Sequence, residues 1–160
     1  MREAPAFNKM KLRLFGLAGF LVLSANLHAQ AVLPTFARFT HDDGLAAEDV
    51  HLLRQDRFGF LWIATADGLY MYDGYSFAHY QHTPFDSTSL PANSVTALHE
   101  DRRGTLWIGT VNGLARMNLR ERAAGRFYRY SRDAENSQNL GRYGISAIIE
   151  DAAGNLWIGA

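Results

Sequence analysis

The stretch Gly104–Met117, "GTLWIGTVNGLARM", holds one tryptophan, one isoleucine and three glycines, with no acid, histidine or cysteine. It is too apolar for a surface loop and too rich in glycine for a helix, where each interior glycine costs about 1 kcal/mol against alanine. A variant stands earlier as "GFLWIATADGLYMY", Gly59–Tyr72, and the pattern begins again as "GNLWIGA", Gly154–Ala160. The stretch is therefore one period of a repeat.

The flanks keep the same phase. Trp62, Trp107 and Trp157 lie 45 and 50 residues apart, and a leucine stands 17 residues before each, namely Leu45, Leu90 and Leu140. The apolar runs "VHLLRQD", "VTALHED" and "ISAIIED" follow, each ending in an aspartate three residues before a glycine: Asp56 with Gly59, Asp101 with Gly104, Asp151 with Gly154. The longer second period has one source, because Gly68 precedes Phe77 by 9 residues whereas Gly113 precedes Phe127 by 14. Insertion at one loop with the strands held in phase is how repeat architectures vary.

Each copy reads as four short strands, which in the second copy are residues 95–99, 105–110, 114–117 and 126–130. The aspartate and glycine of "DRRG" fit a tight turn in which the carboxylate accepts backbone N–H groups and glycine supplies a permissive backbone. Asp67-Gly68 and Asn112-Gly113 suit two-residue hairpins, with both turn residues expected at positive φ. Gly109, matched by Ala64, is a small residue where packed sheets come close. "LWIGT" is apolar on successive residues, so both faces of that strand should be buried.

Four-stranded antiparallel sheets of this period, covered on both faces by like neighbours, are the blades of a β-propeller. The expected fold is all-β, with blades over residues 45–82 and 90–132 and the start of another over 140–160, a partial propeller of about two and a half blades. "FARF", Phe36–Phe39, matches "FAHY" and "FYRY" and predicts a strand that closes a ring by pairing far away in sequence. Propellers close with typically four to eight blades, so the sequence is expected to be a piece of a longer protein.

The N-terminus differs in kind. Arg2, Lys9, Lys11 and Arg13 precede the apolar run Leu14–Ala25, and small residues follow at Ala29 and Ala31. That order predicts a secretory signal peptide over residues 1–31, cleaved after Ala29 or Ala31. The 12-residue apolar run is shorter than the roughly 20 residues of a spanning helix. Residues 32–160 then carry 12 basic against 15 acidic side chains, a balance that argues against nucleic-acid binding. With no cysteine, disulfides, thiolate metal sites and thiol catalysis are excluded.

The pattern Asp-x-x-Gly-x-Leu-Trp-Ile-Gly-Thr-x-x-Gly-Leu with a Leu-Pro-x-Asn-Ser-Val leader resembles the two-component regulator propeller repeat. The second copy matches it best, as "LPANSVTALHEDRRGTLWIGTVNGLARMN", Leu90–Asn118; the first copy departs at Phe60 and Ala64. The resemblance implies a periplasmic sensor region, anchored in the inner membrane in the full-length protein. A histidine kinase or diguanylate cyclase output would lie beyond it, and the full-length protein would be a homodimer. Its partners would be further blades of the same protein and a small-molecule or oligosaccharide ligand. The repeats are similar also to exported propeller enzymes of lyase and quinoprotein types, and a protein-binding scaffold is a third reading.

No catalytic, cofactor or metal residue is assigned. His41, His51, His79, His82 and His99 occupy no consistent position in the copies, and His79 with His82 is a weak zinc-like spacing. Asp56, Asp101 and Asp151 recur at a turn start, which favours a structural role over acid or base work. The repeat residues Trp62, Trp107, Trp157, Gly59, Gly104, Gly154, Gly68 and Gly113 are read as structural too. Arg116, Arg120, Arg122, Arg126, Arg129 and Arg132 cluster around one acid, Glu121. Arg120 and Arg122 are the candidate ligand-binding residues, for an anion such as an acidic oligosaccharide. Strand alternation would send Arg126 and Arg129 to opposite faces.

Overall fold

The copies are held in register by their Asp-x-x-Gly turns. A computed structural model describes residues 36–130 and 144–160, so the expected leader, Arg132 and Leu140 lie outside the described residues. The chain divides into two units, Met1–Ala37 and Arg38–Ala160, and every element below belongs to the second.

The first sheet comprises β1 (Val50–Gln55), β2 (Leu61–Thr65), β3 (Gly68–Tyr72) and β4 (Phe77–Tyr80). The second comprises β5 (Val95–Glu100), β6 (Thr105–Thr110), β7 (Gly113–Asn118) and β8 (Tyr128–Tyr130). A third begins with β9 (Ala147–Glu150) and β10 (Leu156–Gly159). Strands pair with their sequence neighbours, and every pair is antiparallel. The register repeats too, with Trp62 opposite Met71 and Trp107 opposite Arg116. These are propeller blades, two complete and one represented by its first two strands.

In each turn the aspartate holds its own loop. Asp101 Oδ1 accepts the N–H groups of Arg103 and Thr105, both at 2.9 Å, and Asp56 and Asp151 do the same in their copies. The other oxygen takes the indole N–H of the tryptophan six residues on, at 2.9 Å in all three copies. Gly59, Gly104 and Gly154 sit at φ +90°, +85° and +88°, which an L side chain rarely adopts.

The hairpin expectation needs correction. Gly68 (φ +133°) and Gly113 (φ +117°) are the first residues of β3 and β7, and Asp67 and Asn112 do not share their positive φ. The loop is held instead by a buried threonine: Thr110 Oγ1 accepts the Asn112 N–H at 3.2 Å and donates to Gly113 O at 2.9 Å. Thr65 repeats this on Asp67 and Gly68. With the threonine closing the turn, one glycine per hairpin suffices.

The insertion is taken up in a short 3-10 turn of six residues, Leu119–Ala124, capped by the Asn118 side chain and by Gly125 at φ +62°. Leu119 is fully buried and pins the turn to the sheet. Phe36–Phe39 takes no strand pairing among the described residues. The Phe39 ring instead lies 5.0 Å from that of Tyr72 and 5.5 Å from that of Phe77. Ring closure by this segment remains a proposal for a longer chain.

One core lies between the first two sheets, joining Trp62, Ala64 and Leu69 to Leu90, Val95, Leu98, Ile108, Leu119 and Phe127. A second joins Ala97 and Leu114 to Ile145 and Ile148. Gly109 is where the second and third copies come closest. A Cβ there would fall 2.8 Å from Ile145 Cγ2 and 3.0 Å from Ala97 Cβ. The corresponding residues at the first junction are Ala64 and Val95, so one methylene has moved across the interface between the copies.

Polar ties flank the apolar contact at both ends of the first strand. A bulge between Val50 and Leu52 frees His51, and one between Val95 and Ala97 frees Thr96. Bulges re-aim side chains: the His51 ring N–H donates to Val95 O at 2.7 Å, and the Thr96 hydroxyl donates to Ile145 O. At the other end Arg57 pairs with Glu100 and donates to Asp101 O at 2.6 Å and Arg102 O at 3.3 Å. One copy on, Arg102 repeats the reach to Asp151 O (3.1 Å) and Ala152 O (2.9 Å), while its N–H donates to Glu150.

Candidate functional site

The arginines read as one cluster separate in space, and the inserted turn does the sorting. Arg122 donates to Leu119 O at 2.8 Å, and its guanidinium stacks 3.9 Å from the Phe60 ring and 5.2 Å from the Phe58 ring of the preceding copy. Its charge also touches Tyr80, whose phenol burial pushes up in pKa while Arg122 pulls it down. Arg129 donates to Ser89 O at 2.7 Å and to Asp86 O at 2.7 Å, tying β8 to the loop before β5. Both are occupied in holding sheets and loops together.

Arg120 goes elsewhere. It lines a cleft of about 380 Å3 with Arg103, Thr105, Arg116, Asn118, Glu121 and Tyr128. Arg116 lies over the Tyr128 ring at 5.4 Å, and Glu121 accepts the Asn118 amide at 3.2 Å. Among the described residues the side chains of Arg103, Arg116 and Arg120 form no ion pair. The candidate pair Arg120 and Arg122 is thus divided between the cleft and the junction. Arg103, which sequence reasoning treated as a turn residue, joins the cleft. Arg126 precedes β8, so strand alternation does not govern it; with Arg129 it lines a separate cleft of about 390 Å3 beside Ser87 and Thr88.

The histidines find separate partners. His79 stacks on Tyr70 with ring centroids 3.9 Å apart and reaches Asp67 O at 2.8 Å, while His82 reaches Leu90 O at 2.8 Å. His99 lies 3.8 Å from Glu150. Among the described residues no three His, Cys, Asp or Glu side chains gather to hold a metal ion. The recurring acids are committed to their turns. Burial pushes the Asp101 carboxyl up in pKa, yet its bonds from Thr105, Trp107 and Arg103 outweigh that and hold it below the usual carboxylate range. Asp151 is held well below the range by the Trp157 indole first, then by Asn155.

The most regular part of each copy is thus its first strand, Asp turn and tryptophan strand. The two-component regulator propeller family matches there, over residues 89–112 and 139–160. The chain's second and third copies match the two-component regulator propeller repeat. Its repeats are similar in structure to an extracellular domain ascribed to a hybrid two-component system of B. thetaiotaomicron. That likeness has a TM-score of 0.66 and 26% identity, covering 76% of this chain and 17% of that one. In sequence they are similar to histidine kinase P4 of Formosa agariphila, at 41% identity over 76 residues, which is 48% of this chain and 6% of the kinase. These repeats therefore span a small part of either relative. No helix among the described residues is long and apolar enough to cross a membrane.

Proposed function

We propose that the chain belongs to the extracytoplasmic, ligand-sensing propeller region of a signalling receptor whose output domain, a histidine kinase or diguanylate cyclase, lies elsewhere in the same protein. The observation that carries this reading is the likeness to the extracellular domain over 76% of the chain. It favours a receptor over an exported lyase, a quinoprotein-type enzyme or a protein-binding scaffold. In this reading the chain is periplasmic, performs no chemistry of its own and binds a small molecule or oligosaccharide. The full-length receptor is a homodimer anchored in the inner membrane. A ligand can signal only by binding two receptor states unequally. The stiffly tied junctions would pass that difference on as movement of whole blades.

The test is the complete reading frame together with the exported product. The frame should encode further repeats, a membrane-spanning helix and a kinase or cyclase domain. Mass measurement of the periplasmic protein should show loss of residues 1–29 or 1–31. A frame that ends after a closed propeller, with neither helix nor output domain, would overturn the receptor reading.

A further inference from the structure

We infer that the cleft between Arg103, Arg116 and Arg120 is a docking seat for an acidic polypeptide segment, supplied by the next repeat of the same protein. The inference rests on the receptor reading only in requiring a further repeat.

In the first copy the corresponding place is filled. Phe58 and Phe60, on the Asp turn and at the edge of β2, receive the Arg122 guanidinium from the inserted turn of the second copy. The strand registers carry these positions into the second copy without ambiguity. Phe58 becomes Arg103 and Phe60 becomes Thr105, each counted from the turn aspartate. Met71, opposite Trp62, becomes Arg116, opposite Trp107; Ala78, opposite Met71, becomes Tyr128. An aromatic and apolar floor that holds a cation has turned into a cationic one.

A second arginine pushed into that floor would meet like charge. An anion is what the changed floor fits, because two guanidinium forks can each take a carboxylate bidentately. Arg120, from the second copy's own insertion, adds a third positive charge; among the described residues lining the cleft Glu121 alone opposes them, and it is engaged by Asn118. The other junction arginines Arg57, Arg102 and Arg122 each have partners in a neighbouring copy. A polypeptide is favoured over a small anion because the occupant at the corresponding place is a polypeptide turn.

The seat can be probed in the chain itself by calorimetric titration at low ionic strength, where surface charge is least screened. Blocked hexaglutamate should bind, and blocked hexalysine should not. The double variant R103S/R116S should weaken hexaglutamate by about tenfold, the worth of two partly exposed ion pairs. Charge reversal in R103E/R116E should exchange the preference for the two peptides. Both side chains are exposed, so circular dichroism should match the parent. Should either double variant unfold, R120S, on the surface of the inserted turn, carries the same test. Hexaglutamate binding that survives these changes, or no binding at all, overturns the inference. So does inorganic sulfate binding as tightly as the peptide, which would make the seat a small-anion site. Failure here leaves the receptor reading untouched, since that depends on the reading frame.

Discussion

Replacing Trp62 by Phe separates the hydrogen bond that recurs in every copy from the packing around it. The indole N–H donates to Asp56 Oδ2 at 2.9 Å, with Trp62 fully buried and Asp56 only 5% exposed. Phenylalanine keeps an aromatic ring but removes the donor, leaving a buried carboxylate oxygen without its partner. A lost hydrogen bond to a charged group costs about 1.5–3 kcal/mol, and the smaller ring adds about 1 kcal/mol of unfilled space. The expected loss is about 3 kcal/mol, or a fall in Tm of roughly 10 °C for a domain of this size. The control is internal. Trp157 makes the same 2.9 Å bond to Asp151 but is 63% exposed, so water can replace the donor. Thermal unfolding followed by far-UV circular dichroism should therefore show Trp157→Phe close to the parent and Trp62→Phe far below it. Equal losses from the two changes would refute the argument that burial gives the bond its weight.

Three further outcomes follow from the junctions and turns. Gly109→Ala should cost about 1–3 kcal/mol, because its Cβ would press on Ile145; adding Ile145→Val should recover most of it in denaturant melts, since the pair then copies Ala64 with Val95. Arg57→Ala should cost about 1–2 kcal/mol by stranding Glu100, whose side chain is 7% exposed, whereas Arg102→Ala, at a side chain 61% exposed, should cost less. The Asp101 carboxyl has a folded-state pKa below its unfolded value. Its contribution is full above the ordinary carboxylate pKa of about 3.9 and is lost as pH falls through the folded value. Melts across that range should show Asp101→Asn less stable than the parent at neutral pH and flatter on acidification.

The blades were legible because the turn, the tryptophan strand and the hairpin glycine each repeat in sequence. Strand ends followed closely, apart from β8, which begins at Tyr128 because Phe127 is drawn into the core. The indole bond left a visible trace in the constant six-residue spacing of Asp56 to Trp62, Asp101 to Trp107 and Asp151 to Trp157. The arginine clamps left one too: Arg57 and Arg102 follow the turn aspartates of the first two copies, and Glu100 and Glu150 precede those of the last two. That signal appears only when one copy is read against the next, since donor and acceptor never share a period. The division of Arg120 from Arg122 was not legible, because two arginines on one short turn look alike in sequence until Phe58 and Phe60 arrive from another sheet.

The side-chain hydrogen bonds that the first strand and Asp turn of one copy make to the next run one way. His51, Arg57, Thr96 and Arg102 donate, and the carbonyls and carboxylates of the following copy accept. Synthesis proceeds from the N-terminus, so each blade leaves the ribosome with its donors ready and its successor still absent. Arginine suits that interval, because a guanidinium on a long stem waits in water at little cost. The waiting groups are thus soluble ones, and the carbonyls they will meet are made only as the next turn folds. For these four ties, arrival order becomes docking order.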